Sequence, residues 1–323
     1  RQRSRYATEL GMEQDAVESW QLLLEQHDPD AKMEAAAALV EIHEAAGDHA
    51  SHAAALTAQQ ALIDDDEARV AMSVMIAEQW LAAEQFDKAL QCLALAAETA
   101  PTDLAVWAAT DAALRTSGDK AALRGHLQRG WQSVFGSDDP DSRVTALNEQ
   151  LAVEAELGTE TAQRWATVQG AREAGLESED LERTLAEIAA AAADLPQAED
   201  RAALRTVAAI AAMAKDDHLT AAGLLDAVLA EDPADADTYA MRGAALGELS
   251  QDEAHDKRLS AHFSHGVKHL TDAALKRSAT LQLADHTASA SADPQGAFDI
   301  VVAALAESSE DTDDLYRLAE VYA

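Results

Sequence analysis

Cysteine occurs once, at Cys92, which excludes an intrachain disulfide and any zinc site built from paired thiolates. Its neighbours Ala89, Leu90 and Leu93 are apolar at helical spacing, so the thiol reads as a small core residue. Six prolines and 14 glycines in 323 residues leave long stretches free of helix breakers. Aromatics make up 4% of a chain that is 48% hydrophobic, so alanine carries much of the apolar count. Alanine is the best helix former and lets helices approach closely, and the class expected is all-α. Positive charge is scarce: 24 Lys and Arg stand against 59 Asp and Glu, a net charge of −35. Such a surface repels nucleic acid and anionic lipid at long range, and neither is expected as a partner. No apolar run reaches the roughly 18 residues that a membrane-spanning helix needs, so no membrane insertion is expected of this segment.

The signatures of several enzyme chemistries are missing as well. There is no glycine-rich phosphate loop, no GxSxG, no HExxH and no CxxC. His43-Glu44 is followed by Ala45-Ala46-Gly47, without the second histidine one helical turn on that a zinc-binding helix requires. The runs Asp64-Asp65-Asp66 and Asp138-Asp139-Pro140-Asp141 lack the spaced ligands and glycine of a calcium loop and read as solvated turns between helices. Neither an active site nor a cofactor is expected.

What the chain does have is a period. Residues 202–235 and 236–269 lie back to back at a spacing of 34 residues. The first places Ala221, Leu225 and Pro233 at positions 20, 24 and 32 of the unit; the second places Tyr239, Gly243 and Leu246 at positions 4, 8 and 11. The fullest copy starts at Val70 and carries Ile76, Ala77, Trp80, Phe86, Ala89, Leu93, Ala96 and Pro101. This pattern resembles the tetratricopeptide repeat family, in which helix A bears a small residue at position 8 and helix B bears alanines at 20 and 27.

Other copies match in part. One starts at Met33 with Leu39, Val40, a Gly47-Asp48 turn and Leu56, although His52 takes the small position 20. One starts at Leu104 with Trp107, Leu114, Gly118-Asp119 and Leu127; another starts at Ser278 with Leu281, Ala284, Ala297, Val301 and Ala304. Residues 12–27, after Gly11, resemble a helix B with Ala16, Trp20 and Leu23, and Leu318, Ala319 and Tyr322 fit a copy that starts at Thr312. Leu147, Leu151, Gly158 and Trp165 mark a degenerate copy, and Leu181 to Ala193 reads as a helix without an obvious partner.

The resemblance implies a right-handed α-solenoid of antiparallel helix pairs, roughly nine in number. Its expected divisions are an N-terminal array over 1–169, an irregular seam over 170–201 and a C-terminal array over 202–323. Both ends are expected to be cuts through a longer solenoid, and unpaired end faces make self-association an expectation. The compartment stays open.

The resemblance also implies a concave groove lined by helix A positions 2, 5, 9 and 12. Those positions hold Glu34, Ala37, Glu41 and Glu44 in one copy and Ala71, Val74, Glu78 and Leu81 in the next. The copy from Ala202 contributes Ala203, Thr206, Ile210 and Met213. Glu78 stands where some members of the family place a donor for a carboxylate, so partners with basic or apolar segments are expected rather than acidic tails.

One segment inverts the local charge. Between His255 and Arg277, five basic residues, Lys257, Arg258, Lys268, Lys276 and Arg277, face two acids, Asp256 and Asp272. At 100° per residue Leu259, Phe263, Val267, Leu270 and Ala274 share one face, with His255, His262, His265 and His269 on a stripe beside it. The expectation is a basic docking helix for an acidic surface, a second copy of this chain included, strengthened near pH 6 by the histidines. His262, His265 and His269 also have the spacing of a small metal site. A second basic island holds Arg115, Lys120, Arg124 and Arg129. The function expected is noncatalytic: a protein-interaction scaffold or structural subunit. The alternatives are the docking or sensory part of a larger enzyme or signalling protein, and a histidine-based metal-responsive module.

Overall fold

The computed structural model describes residues 2, 4, 5, 12–250, 253–307 and 313–322, and among them regular structure is entirely helical. Gly11 and Thr312, and the side chain of Leu318, lie outside the described residues.

Aspartate starts most of the helices. Helices α2 (Pro29–Ala46), α3 (His49–Gln60), α4 (Asp66–Ala82), α6 (Leu104–Ser117), α7 (Lys120–Arg129) and α8 (Pro140–Glu156) begin at Asp28, Asp48, Asp65, Asp103, Asp119 and Asp139. Each carboxylate accepts a hydrogen bond from a backbone N–H of the first turn, where free donors and the helix dipole favour a negative group. Part of the acidity of the chain is therefore capping chemistry, and Asp65 and Asp139 of the acidic runs have this task. Gly47 and Gly118 close α2 and α6 in the left-handed region, at φ of 66° and 74°, where a side chain would be strained.

The chain divides into two compact units, Arg1–Thr159 with Gln169–Asp180, and Glu160–Val168 with Leu181–Ala323. In the first, α1 (Glu13–Leu24) and α2 to α8, with α5 at Phe86–Thr99, pack each against the next in the sequence. This is the nearest-neighbour pattern of a solenoid. Ile76, Ala77, Ala89, Leu93 and Ala96, the anchors of the copy from Val70, are all buried. Ala16 and Trp20 on α1 pack on Ala35 and Leu39 of α2. A π-helical turn, Gly130–Val134, extends α7 and buries Trp131, whose indole N–H donates to Gln150 Oε1 at 2.6 Å.

The degenerate stretch is also built of helices joined by short turns. Helix α9 spans Thr161–Glu173 and α10 spans Glu179–Ala190, followed by a short 3-10 turn at Ala192–Asp194. Helix α10 buries Leu181, Leu185 and Ile188. Its Glu187 pairs with Arg164 of α9 at 2.8 Å and its Glu182 with Lys215 at 3.4 Å, so within the second unit it does have partners.

The remaining helices of that unit are α11 (Ala198–Met213), α12 (His218–Glu231), α13 (Ala236–Gly247), α14 (Glu253–His269), α15 (Ala273–Ser289), α16 (Pro294–Glu307) and α17 (Asp313–Tyr322). Sequential neighbours again pack. Ala208, Ala209, Ala221, Leu225 and Val228 are buried at the same repeat positions as their counterparts 132 residues earlier, and Ala284, Ala297 and Val301 at those of counterparts 208 residues earlier. Small residues at 8 and 20 are what allow A and B helices to sit this close.

Candidate functional site

The acidic positions of the first unit fall on the A helices α2 and α4. Glu41 and Glu44 lie one turn apart on α2, and Glu78 lies on α4; all three are exposed, and among the described residues no cation pairs with them. Glu34 differs. Its carboxylate is engaged by the Arg5 guanidinium, with Arg5 Nε donating to Oε1 at 2.6 Å. Beside Glu78, Val74 and Leu81 turn partly inward and pack on the cluster of Ala77, Ala89 and Leu93. In the second unit Ile210 is 48% exposed on α11, whereas Met213 packs against the core of Ala209, Ala221 and Leu225. Of those two Ile210 offers the larger apolar surface.

The basic segment is divided between two helices. Helix α14 ends at His269, and Asp272 starts α15 by accepting from the backbone N–H of Leu275 at 2.8 Å. Lys257, Arg258 and Lys268 thus belong to α14, and Lys276 and Arg277 to the first two turns of α15. The continuous apolar face expected through Ala274 stops at Leu270, which is buried, while Ala274 is exposed. An aspartate able to cap outweighs the helical periodicity that runs across it.

The histidines do not form one surface stripe. His255 and His262 are buried, at 4% and 3% exposure, and His265 and His269 are half-buried. The reason lies in the repeat register: counted from Ala236, His255 is position 20 and His262 is position 27, both core positions that usually carry alanine. Gly243, at position 8, supplies the missing room, since a Cβ there would lie 2.8 Å from His262 Nε2. The imidazole stacks on Tyr239 with ring centroids 4.0 Å apart, and its Nδ1 is 3.0 Å from an Arg242 guanidinium nitrogen. Because Arg242 can only donate, Nδ1 accepts and the ring is neutral with its proton on Nε2. Burial, with help from Arg242 and His265, pushes the His262 pKa down to about 4. His262 therefore adds no charge near pH 6. Asp226 carries the counter-charge of Arg242. His265 Nε2 donates to the Pro233 carbonyl at 2.9 Å. Among the described residues no group of three or more His, Cys, Asp or Glu side chains is placed to share a metal ion.

The second basic island is half neutralised. Arg115 is held by Asp111 at 2.7 Å and by Glu149, and Lys120 by Glu156 at 2.6 Å. Among the described residues Arg124 and Arg129 are in no ion pair.

No protein-family model and no curated protein matches the sequence. Several solved structures are similar in their helical repeats. One is a tetratricopeptide repeat protein from Parabacteroides merdae, 12% identical, with 90% of this chain and 98% of that one covered and a TM-score of 0.29. Another is the TPR2AB domain of yeast Sti1 in a pHSP90 complex, 17% identical, with 79% and 99% covered and a TM-score of 0.26. A third is Naa15/Naa10 bound to HypK-THB, 12% identical, with 98% and 59% covered and a TM-score of 0.23. These superpositions are loose, and the register is carried by this chain's own 34-residue spacing and the burial of its anchors. The repeats are tetratricopeptide-like. No described helix is long and apolar enough to cross a membrane.

Proposed function

We propose that this protein is a noncatalytic interaction scaffold whose principal docking face is the acidic surface of α2 and α4. One observation carries the reading: Glu41, Glu44 and Glu78 are exposed and lack a paired cation among the described residues, while many other acids cap helices or sit in ion pairs. Unpaired carboxylates on helix A faces favour a partner segment with basic residues, and the apolar side chains between them favour one with apolar anchors. Glu34 contributes less, because Arg5 already engages it. Ile210 supplies an apolar contact on the second unit. The test is capture of partners by the Glu41→Lys, Glu78→Lys double variant, with helicity checked by circular dichroism. Loss of basic partners is expected; an unchanged partner set would sink the acidic-face reading.

Helix α14, with Lys257, Arg258 and Lys268, is the complementary surface, and a second acidic copy of this chain is the partner its charge fits. Sedimentation at low and high salt tests this: association that salt does not weaken contradicts it.

A further inference from the structure

The helix pair α6–α7 departs from the repeat inside its own core. Relative to the copy from Val70, Thr110 stands in the place of Ile76 and Gly130 in the place of Ala96. Where the isoleucine would project there is a cavity of about 120 Å³, walled by Trp107, Thr110, His126 and Arg129 among others. A larger, mostly apolar cleft of about 440 Å³, lined by Leu90, Leu93 and Leu114, shares Ala97, Thr110 and Arg129 with it. At Gly130 the missing methyl admits the Trp107 indole, whose Nε1 would lie 3.2 Å from a Cβ there. The indole stacks on the His126 imidazole at 4.7 Å and meets the Phe135 edge at 4.8 Å.

Two buried groups in this lining are polar where a repeat core is ordinarily apolar. His126 is 2% exposed and its Nε2 has no hydrogen-bond partner; Trp107 Nε1 is also buried and unpartnered. Buried polar groups are rarely left so, because the lost hydration is not returned. The hydroxyls of Thr110 and Ser133 spend their protons on the Val106 and Arg129 carbonyls, at 2.8 and 3.0 Å. Arg129, on the wall common to both spaces, is exposed and in no ion pair among the described residues, although Arg115 and Lys120 nearby in the chain both are.

The donor set defines the ligand. An indole N–H and a guanidinium can only donate, and the neutral His126 imidazole carries one N–H, for which a ligand competes with the Trp107 backbone carbonyl. A group that only accepts, with two oxygens and several lone pairs, satisfies all three at once, and a carboxylate is such a group. Of the acids nearby, Asp103 accepts from the backbone N–H groups of Ala105 and Val106 and Asp111 is bound by Arg115, while Glu98 stands exposed on the wall of the adjoining cleft. We propose that the cavity between α5, α6 and α7 binds a small free organic acid, its carboxylate held by Trp107, His126 and Arg129 and its short aliphatic chain in the adjoining cleft. The volume suits that class, being about that of four waters.

Titration of the 15N-labelled protein with butyrate, followed at the Trp107 indole N–H resonance and assigned with Trp107→Phe, tests the site. The resonance is expected to move and saturate at millimolar butyrate. Neutral butyramide should bind at least tenfold more weakly, and Arg129→Gln, at an exposed position, should cost about the same factor. Thr110→Ile, which restores the side chain present at residue 76, should abolish the shift while raising Tm. A resonance that butyrate leaves unmoved, including one that shows contact with water alone, overturns the proposal. So does an equal response to butyramide or an unchanged affinity in Arg129→Gln.

Discussion

At the residue scale, the exchange between Gly243 and His262 shows how a repeat absorbs a side chain its pattern forbids. A histidine at position 27 is tolerated because position 8 has given up its Cβ. Gly243→Ala alone should therefore be destabilising by about 1–3 kcal/mol through overpacking. Combined with His262→Ala it should cost less than the sum of the two single changes, and a double-mutant cycle in urea measures that coupling; strict additivity would contradict the contact. The same burial has a pH consequence. His262 and His126 are both held near a pKa of about 4, in each case chiefly by burial. Between the unfolded value near 6.5 and 4, the unfolded chain binds protons on these rings that the folded chain does not. Stability is then fully present above that window and falls as pH drops through it, by up to about 1.4 kcal/mol per pH unit for each ring. Urea midpoints at pH 7 and pH 5 check this; equal midpoints would contradict it. His262 was within reach of the sequence, because the count from Ala236 already put it at a core position. Helical periodicity taken over the isolated segment hid that, since a helical wheel shows which residues share a face and not which face a neighbour covers.

At the element scale, the helices were legible because their starts and stops are written in local chemistry. Asp at the N-cap, Pro29 and Pro140 in the first turn, and Gly47 and Gly118 at the C-cap each act within a few residues of themselves. Asp235 caps through three contacts: it accepts from the backbone N–H groups of Asp237 and Thr238, each at 3.1 Å, and from the Thr238 hydroxyl at 2.6 Å. Asp235→Ala is expected to lower the unfolding free energy by about 1–2 kcal/mol, and Asp235→Asn by much less. Equal losses for the two would assign the effect to charge rather than to capping. The same chemistry divided the basic segment at Asp272, where a cap signal and an apolar period pointed in opposite directions. The cap prevailed because it satisfies backbone donors that have no other partner at the start of a helix.

At the scale of the whole molecule, a charge of −35 opposes folding by self-repulsion that salt can screen. Added sodium chloride at a few hundred millimolar is expected to raise the urea midpoint; a fall would mean that ion pairs such as Arg201–Glu231 and Lys120–Glu156 outweigh the repulsion. By itself the sequence determined the all-helical class, the 34-residue register and most helix boundaries, because propensity, capping and spacing are short-range. The tertiary structure decided which of the charges remain unpaired. Arg115 meets Glu149 and Lys120 meets Glu156 across neighbouring helices, leaving Arg124 and Arg129 without such partners among the described residues. It also decided that, with threonine at residue 110, a cavity remains whose wall includes the unpartnered Trp107 Nε1 and His126 Nε2. Both outcomes depend on how helix surfaces meet and which rotamers reach across, and one helix read alone contains neither.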